Sequence, residues 1–549
     1  MRFHFIIGVT IAFVSVLFAC ATPAVPPPTT VPTIPPSPAS IIATTVPPPI
    51  TPTIDSSSSA LRVKISSGEL EGARENNLNV FKGIPYAAPP VSELRWREPQ
   101  PVAAWNGVRQ ANAFSPACPQ PNAKIQGAGT NGPQSEDCLY LNVWTPNTDP
   151  NAKLPVMVWI HGGALVIGDG GSPLYDGAFL SQRGAVVVTI NYRLGHLGFF
   201  AHPALDRAAP NGPVNYGLLD EIAALKWVQE NIAAFGGDRN NVMIFGESAG
   251  GQSVLTLFAS PLARGLFHKG IAESPYGIPS NTRAKALQAG IHVADALGLP
   301  GANATLEELR AVPAEKFTPL NAKNQTLAPV FILGDAALPE PILDIFQKGN
   351  QAAVPLIIGS NSNEATVAEG FGIDPADVIK KMGIFKIALK PLYPGVNNNE
   401  QLGSELVRDL VFTSFVRRMS DLHSARAPSW RYYFSYVPAN LKTQWALGVP
   451  HGGEIVFVFN SEDVTPEYKG VFTDADRAMA KRVGDYWFAF ASTSSPNPNG
   501  QPQWAQNDSR NDNTMEFGDT IALQKNFMRA RLTVFIDLLK VLGKLLDRE

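Results

Sequence analysis

The stretch Asn-Val-Met-Ile-Phe-Gly-Glu-Ser-Ala-Gly-Gly, residues 241–251, joins an apolar run to a glycine-rich turn. Residues 241–245 have the pattern of a buried strand, and residues 251–260 have that of a helix. A strand that passes through Gly-x-Ser-x-Gly into a helix is typical of a nucleophile elbow, which lifts the serine hydroxyl into a cleft. The stretch therefore predicts a catalytic serine, Ser248. The alternative is a structural serine, because a chain with 46 glycines can contain this pentapeptide by chance.

Apolar runs of strand length also occur on both sides of the elbow. They lie at residues 154–160, 185–190, 354–359 and 430–436, and a helical pattern covers residues 215–234. Buried strands that alternate with helices predict an α/β fold, with a mostly parallel central sheet flanked by helices. Upstream, residues 61–145 contain short β-branched runs punctuated by Gly and Pro, which predict an N-terminal region of antiparallel strands.

The overall composition favours a globular enzyme and excludes some classes of partner. The 549 residues are 45% hydrophobic and 17% charged, with a net charge of −3. No basic stripe indicates a nucleic-acid partner. No metal-ligand spacing or phosphate-binding loop occurs, so no cofactor is predicted. Nothing in the sequence indicates the oligomeric state.

The N-terminus has the features of an export signal. Residues 1–20 contain Arg2 and an apolar run that is too short for a comfortable membrane span. The run ends in Leu-Phe-Ala-Cys, residues 17–20, which resembles a bacterial lipobox and predicts a diacylglycerol on Cys20. The alternative is ordinary cleavage nearby and loss of Cys20. Either way, the protein is expected to be exported, as a cell-surface lipoprotein or else as a secreted protein.

A proline-rich segment follows the signal. Residues 21–55 contain twelve prolines among Thr, Ser, Ala and Val, a composition that does not fold. We predict a disordered stalk over residues 21–60, able to reach roughly 100 Å, although a leader without a tethering role is the alternative. The catalytic domain is predicted to cover residues 61–549. Without Cys20, Cys118 and Cys138 remain, and an even pair in an exported chain favours one disulfide over two buried thiols.

The groups that would assist a nucleophilic serine can be identified from their positions in the sequence. An acyl-transfer intermediate requires N–H donors at its oxyanion. The N–H of Ala249 follows the serine, and Gly163 and Ala164 lie in the turn His-Gly-Gly-Ala, residues 161–164, after the first buried strand. This order, with a glycine-rich turn upstream of the elbow, predicts that the three N–H groups form the oxyanion hole.

The base and the acid are expected downstream of the serine, in the order Ser, acid, His. Of the eight histidines, His451 meets this condition within a glycine-flanked loop, residues 448–454. Glu364 is the acid in the loop that follows the strand at 354–359, although a lone glutamate there could also be a surface residue. Asp335 and Asp374 are the competing acids, and neither directly follows a convincing strand.

Taken together, these motifs resemble the type-B carboxylesterases. That family is a branch of the α/β-hydrolases which includes bacterial para-nitrobenzyl esterases and animal cholinesterases. The matching segments are Gly-Ile-Pro-Tyr-Ala at 83–87, Glu-Asp-Cys-Leu-Tyr-Leu-Asn-Val-Trp at 136–144, the turn at 161–164, Asn-Tyr-Arg at 191–193 and the elbow at 245–251. The resemblance runs from about residue 61 to the C-terminus.

The resemblance implies an α/β-hydrolase fold and a Ser–Glu–His triad on Ser248, Glu364 and His451. It also implies a Cys118–Cys138 disulfide near the mouth of the active-site gorge. Two supporting residues, Ser274 and Glu247, complete the expected site.

The sequence departs from the cholinesterases at two points. Ala164 replaces the third oxyanion glycine, and its methyl group is expected to narrow the tolerance for bulky alcohols. The loop between Cys118 and Cys138 contains no aromatic residue. Cholinesterases place a tryptophan there for a cation–π contact with quaternary ammonium, so choline esters are not expected as substrates.

The expected function is hydrolysis of small to medium carboxylic esters through an acyl-enzyme, with broad specificity. Lipid, carbamate or polymer esters are the alternative substrates, and a non-catalytic surface binding module is the alternative from another class. The membrane is expected as a partner only through Cys20. The amphipathic C-terminal segment, residues 527–546, is expected to pack on the sheet edge rather than lie on a membrane.

Overall fold

The computed structural model describes residues 61–122, 129–130, 132–278, 280–318, 330–508 and 510–546. The predicted signal peptide, the predicted stalk and Cys20 lie outside these ranges. Their assignment, and the domain boundary derived from it, therefore stay predictions.

The strands are named in chain order. They are β1 (Arg62–Ile65), β2 (Gly68–Glu71), β3 (Ala73–Glu75), β4 (Leu78–Pro85), β5 (Val108–Gln110), β6 (Tyr140–Thr145), β7 (Leu154–Ile160), β8 (Val186–Ile190), β9 (Gly237–Glu247), β10 (Lys269–Glu273), β11 (Asn281–Thr282), β12 (Ile332–Leu333), β13 (Leu356–Asn361), β14 (Ser429–Phe434), β15 (Thr514–Phe517) and β16 (Ile521–Gln524).

The α-helices are α1 (Ala178–Gln182), α2 (Gly195–Gly198), α3 (Pro203–Ala208), α4 (Tyr216–Asn231), α5 (Ala249–Ala259), α6 (Arg283–Ala296), α7 (Leu306–Ala311), α8 (Ile342–Gln347), α9 (Thr366–Gly370), α10 (Pro375–Lys381), α11 (Asn399–Val407), α12 (Ser414–Ser424), α13 (Ile455–Phe459), α14 (Asp474–Thr493) and α15 (Arg529–Leu546). A π-helical turn, Arg408–Thr413, joins α11 to α12. Short 3₁₀ turns lie at Ser92–Leu94, Pro173–Tyr175, Ile232–Phe235, Pro261–Ala263, Gly301–Asn303, Ala314–Lys316, Gly383–Ala388, Lys390–Leu392 and Ala439–Leu441.

A large mixed sheet forms the centre of the molecule. Within the described ranges its strand order is β16-β15-β14-β13-β10-β9-β7-β8-β6-β4-β3. The strands from β8 to β15 pair in parallel, whereas β3, β4, β6 and β16 pair antiparallel at the two ends. The predicted α/β architecture is therefore confirmed. Of the antiparallel region expected near the N-terminus, β3, β4 and β6 form one end of this sheet, whereas β1, β2 and β5 form a separate three-stranded sheet in which β2 and β5 pair in parallel.

Both faces of the sheet are buried, as the continuous apolar runs predict. Alternate residues of a strand face opposite sides. On one side, Val156, Val158 and Ile160 of β7 pack with apolar residues of α4 and α5. On the other side, Met157 and Trp159 pack with those of α14. Each such fully buried side chain contributes about 1.5–3 kcal/mol to folding, so helices are needed on both faces.

The predicted elements agree with the observed ones to within a few residues. The helix expected at 215–234 is α4 followed by the 3₁₀ turn, and Gly236 ends it in a left-handed conformation with φ of 78°. One expectation was wrong in detail. Helix α15 packs mainly on α12 and the π-helical turn, and the β15–β16 hairpin forms the edge of the sheet. No helix in the described ranges has the length and hydropathy needed to cross a bilayer.

Candidate active site

The nucleophile elbow is present at the predicted position. Strand β9 ends at Glu247, helix α5 begins at Ala249, and Ser248 lies between them with φ of 57° and ψ of −119°. A non-glycine residue pays about 1–3 kcal/mol for a backbone conformation of this kind. The strain is held by the strand and the helix on either side, and it turns the hydroxyl out of the sheet.

The two glycines of the motif are required by close packing. A Cβ on Gly246 would lie 2.5 Å from the carbonyl oxygen of Ile160, and one on Gly250 would lie 2.0 Å from the same oxygen. The start of α5 can therefore rest on the end of β7 only if both positions lack a side chain. The Gly-x-Ser-x-Gly pattern thus reflects contact between neighbouring elements as well as the turn itself.

The three residues of the predicted triad come together. Nε2 of His451 lies 2.7 Å from Oγ of Ser248. Its Nδ1 lies 2.5 Å from Oε2 of Glu364. All three side chains are buried. This arrangement lets the imidazole accept the serine proton at one nitrogen while the carboxylate accepts the N–H at the other.

The loops that carry the acid and the base are bonded to one another. The N–H of Asn363 donates to the carbonyl of Val449 at 2.8 Å. In return, the N–H of Val449 donates to Oγ of Ser362, also at 2.8 Å. The N–H of His451 donates to Oγ1 of Thr366 at 3.0 Å. Glu364 and His451 are therefore fixed relative to each other although they are 87 residues apart.

Ser274 supports the acid, as the resemblance implied. It follows β10 with φ of 48°, and its hydroxyl donates to Oε1 of Glu364 at 2.7 Å. The N–H of Asn361 donates to the same oxygen at 2.6 Å. Both oxygens of this buried carboxylate therefore have partners, which orients it toward His451.

One further residue of the site was not predicted from the sequence. Glu454 is fully buried, and its Oε2 accepts a hydrogen bond from the side-chain amide of Asn361. Burial, reinforced by the charge of Glu364, raises the pKa of Glu454 to about 7. The available signal was its position, three residues after His451 at the end of the same glycine-rich loop.

Glu247 adds a carboxylate on the nucleophile side of the base. Its Oε1 lies 3.3 Å from Nε2 of His451 without the geometry of a hydrogen bond. Burial raises the pKa of Glu247 to about 8, against the opposing charge of His451. Burial alone would lower the pKa of His451, but Glu247 and Glu364 outweigh it and raise that pKa to about 9. The surroundings therefore favour the imidazolium form.

The glycine-rich turn after β7 lies beside the serine. Gly163 has φ of 99°, and a Cβ there would lie 2.1 Å from the carbonyl oxygen of Ile167, so only glycine fits. Ala164 and Leu165 also have left-handed conformations, with φ of 56° and 61°. Gly163 and Ala164 line the same cavity as Ser248, and Ala249 is the first residue of α5. Two of the predicted oxyanion residues thus line the cavity at Ser248, and the third follows the serine directly in the chain.

The cavity above Ser248 is small and mostly apolar. Its volume is ≈ 40 Å³. Apart from the residues already described, its described walls are formed by Leu174, Tyr175, Val367, Phe371, Gly452 and Ile455. Neither Lys nor Arg is among its described lining residues, and Glu247 is the acid that faces it. A larger cavity of ≈ 850 Å³, beside the Arg95–Glu136 ion pair, contains no triad residue.

The Cys118–Cys138 disulfide is present, with both cysteines buried. Next to it, the side chain of Gln120 exchanges two hydrogen bonds with the backbone of Gly168, at 2.8 and 2.9 Å. The disulfide-closed loop is thereby connected to the segment that continues from the oxyanion turn. Residues 123–128 and 131 of this loop lie outside the described ranges.

The competing acids have structural partners instead. Asp335 accepts hydrogen bonds from the N–H groups of Val214 and Asn215. Asp374 caps α10 by accepting from the N–H of Ala376 at 2.8 Å. No group of three or more His, Cys, Asp and Glu within the described residues is arranged to hold a metal ion.

Comparison with known proteins gives one consistent result. Residues 59–535 match the sequence profile of the Carboxylesterase family. Fumonisin B1 esterase from Sphingopyxis macrogoltabida is 35% identical over 491 residues, covering 83% of this chain and 86% of that protein. Para-nitrobenzyl esterase from Bacillus subtilis (strain 168) is 38% identical over 450 residues, covering 78% of this chain and 89% of that protein.

Solved structures agree with the sequence relatives. A PNB esterase superposes with a TM-score of 0.73 at 33% identity, covering 86% of this chain and 100% of that one. Sequence and structure thus match over nearly the whole described region.

Proposed function

Because this chain belongs to the carboxylesterase family and is a carboxylic ester hydrolase of the α/β-hydrolase fold, we propose that Ser248, His451 and Glu364 are its catalytic triad. The observation that carries the proposal is the pair of distances at His451. They are 2.7 Å from Nε2 to the serine hydroxyl and 2.5 Å from Nδ1 to the carboxylate.

The proposed reaction has two halves. Oγ of Ser248 attacks the ester carbonyl carbon while Nε2 of His451 takes its proton, and Glu364 stabilises the imidazolium. The N–H groups of Gly163, Ala164 and Ala249 donate to the oxyanion. The tetrahedral intermediate then collapses, His451 gives its proton to the departing alkoxide, and an acyl-enzyme remains.

Hydrolysis of the acyl-enzyme repeats these steps with water. His451 deprotonates a water molecule, the hydroxide attacks the acyl carbon, and a second oxyanion forms in the same place. Its collapse breaks the bond to Oγ, which regains a proton from His451. The products are a carboxylic acid and an alcohol, and the enzyme returns to its starting state.

The proposed substrates are small to medium neutral esters. The described walls of the cavity beside Ser248 are mostly apolar, which suits an uncharged acyl group. The absence of Lys and Arg from its described lining offers no partner to a negatively charged substrate. Carbamate and polymer esters remain alternatives, and a series of esters with increasing acyl length and charge separates them. A preference for insoluble long-chain esters would contradict the choice of small esters.

The triad is tested by Ser248→Ala on p-nitrophenyl butyrate. We expect kcat to fall by at least about 10³-fold, since removal of a nucleophile from a triad abolishes the covalent route. Ser492→Ala is the matched control, because that hydroxyl bonds only to a carbonyl within helix α14. It should retain the wild-type rate. Equal rates for Ser248→Ala and wild type would overturn the enzyme mechanism and favour a non-catalytic binding module.

We further propose that the protein is exported and held at the cell surface by a lipid on Cys20. The support is the lipobox-like segment at 17–20 and the proline-rich stalk after it. Cys20→Ser should release the protein from membranes into the soluble fraction, as measured by membrane fractionation and immunoblotting. A wild-type protein that is equally soluble would contradict the anchor.

A further inference from the structure

A π-helical turn lies against the catalytic histidine. Residues Arg408–Thr413 interrupt what would otherwise be one helix from α11 to α12. Such turns are uncommon and often occur at functional sites, because the extra residue displaces one side chain from the normal helical path. Here the turn contains Phe412, which is 2% exposed.

Phe412 contacts the imidazole of His451 directly. The two ring centroids are 5.1 Å apart and the ring planes meet at 55°. The hydrogen bonds of His451 to Glu364 and Ser248 act along the imidazole plane, at its two nitrogens. They restrain tilting of the ring out of that plane only weakly. The phenyl group supplies a restraint from outside this chain of hydrogen bonds.

The π-helical turn is fixed to the segments that carry the other site residues. Oγ1 of Thr413 lies 3.1 Å from Oγ of Ser360 on β13, the strand that leads to Glu364. The carbonyl of Val411 accepts from the N–H of Gly277 at 2.8 Å, in the segment after Ser274. The backbone that carries Phe412 is therefore held by hydrogen bonds on both sides of this residue.

The side chain of Arg408 also stabilises the π-helical turn. Nη1 of Arg408 donates to the carbonyl of Ser362 at 3.3 Å, and its Nε donates to Oδ1 of the fully buried Asp409 at 2.8 Å. The bond to Ser362 joins the turn to the loop between β13 and Glu364, and the ion pair lies within the turn itself. Movement of the turn away from His451 would require the contact between Arg408 and Ser362 to break.

We propose that Phe412 is a positioning residue that holds the imidazole of His451 in line for proton delivery to the departing alcohol. The inference rests on the proposed triad. Nε2 must serve two atoms in turn, first the serine hydroxyl and then the alcohol oxygen, and small misplacement of a catalytic group can cost about 10²-fold in rate. Leucine at this position would fill part of the space but would lose the contact between the two rings.

The test compares two butyrate esters that differ only in the alcohol. Ethoxide needs a proton from His451 to leave, whereas p-nitrophenolate leaves without one. For Phe412→Leu we expect kcat/KM to fall about tenfold on ethyl butyrate and about threefold on p-nitrophenyl butyrate, since general acid catalysis is lost only where it is needed. Rates are taken per site titrated with a fluorophosphonate, so that misfolded protein does not contribute.

Phe258→Leu is the matched control. Phe258 is also fully buried against a histidine, with its ring centroid 5.5 Å from that of His423. Its substitution should leave the ratio of the two kcat/KM values unchanged. An equal fall on both esters for Phe412→Leu would overturn the positioning role.

Two outcomes keep the inference separate from the proposed triad and from folding. If Ser248→Ala stays active, the triad fails; if it is inactive and Phe412→Leu keeps the wild-type ratio, only the positioning role fails. Should Phe412→Leu give no titratable sites, Phe412→Tyr retains the ring. It should keep the wild-type ratio, and an altered ratio would contradict the proposal.

Discussion

At the scale of single residues, the site has more buried carboxylates than one triad needs. Glu247, Glu364 and Glu454 all act electrostatically on His451. A fourth, Glu273, accepts a hydrogen bond from Nε1 of Trp487 at 2.7 Å, and burial raises its pKa. Burial and the neighbouring carboxylates raise the pKa values of Glu247, Glu273 and Glu454.

The charge of Glu247 beside His451 makes the pH dependence of the Glu247→Gln variant predictable. Burial lowers the pKa of His451, and Glu247 is the largest of the causes that raise it to about 9. Removing that negative charge disfavours the imidazolium, so the pKa of His451 falls. The neutral, basic imidazole then exists at lower pH. The rising limb of kcat/KM for p-nitrophenyl butyrate against pH should shift to lower pH.

Glu221→Gln is the control for that shift. Glu221 is also a fully buried glutamate whose pKa is raised to about 8 by burial, but it bonds to Ser253 and is not among the charges that act on His451. The rising limb of kcat/KM against pH for Glu221→Gln should coincide with that of the wild type. A Glu247→Gln profile identical to the wild-type profile would show that this carboxylate carries no charge in the working enzyme.

At the scale of elements, local patterns were predictable and pairings were not. The elbow and the strand at 154–160 could be predicted because contiguous residues determine them. The π-helical turn could not, since the apolar spacing from α11 to α12 is compatible with one uninterrupted helix, and only contacts with β13 and His451 reveal the insertion. Glu454 was missed for a related reason: its role depends on Asn361, which lies 93 residues away.

The order of the strands in the sheet could not be predicted from the sequence, for the same physical reason. Continuous apolar runs identify strands that are buried on both faces, but they do not specify neighbours. The pairing of β13 with both β10 and β14 brings Ser274 and Glu364 to one end of the sheet. The sequence predicted the triad from the order Ser, acid, His along the chain. It did not predict the strand pairing that brings these residues together.

At the scale of the whole molecule, the C-terminal helix fastens the region around the π-helical turn. Leu532, Phe535 and Leu538 of α15 are buried. Nε of Arg531 lies 2.8 Å from Oδ2 of Asp409, and its Nη1 lies 3.2 Å from Oε2 of Glu405. The end of the chain thereby contacts the same turn that presents Phe412 to the active site.

Arg531→Met is expected to lower the free energy of unfolding by about 2 kcal/mol. The variant keeps the apolar stem but leaves the buried Asp409 with one cation fewer, while Arg408 still pairs with it. Urea unfolding followed by circular dichroism measures the change. Arg529→Met, on the exposed side of the same helix, should cost much less. Equal stability of the Arg531 and Arg529 variants would show that the ion pair does not fasten the helix.

The spacing of the triad along the chain also has a consequence for biosynthesis. In the proposed triad Ser248 precedes the base, His451, by 203 residues, so the ribosome releases the serine long before the imidazole. A nascent chain that ends before residue 451 has an elbow but no base. If His451 is the base, a translation product truncated before residue 451 is therefore expected to have no hydrolytic activity.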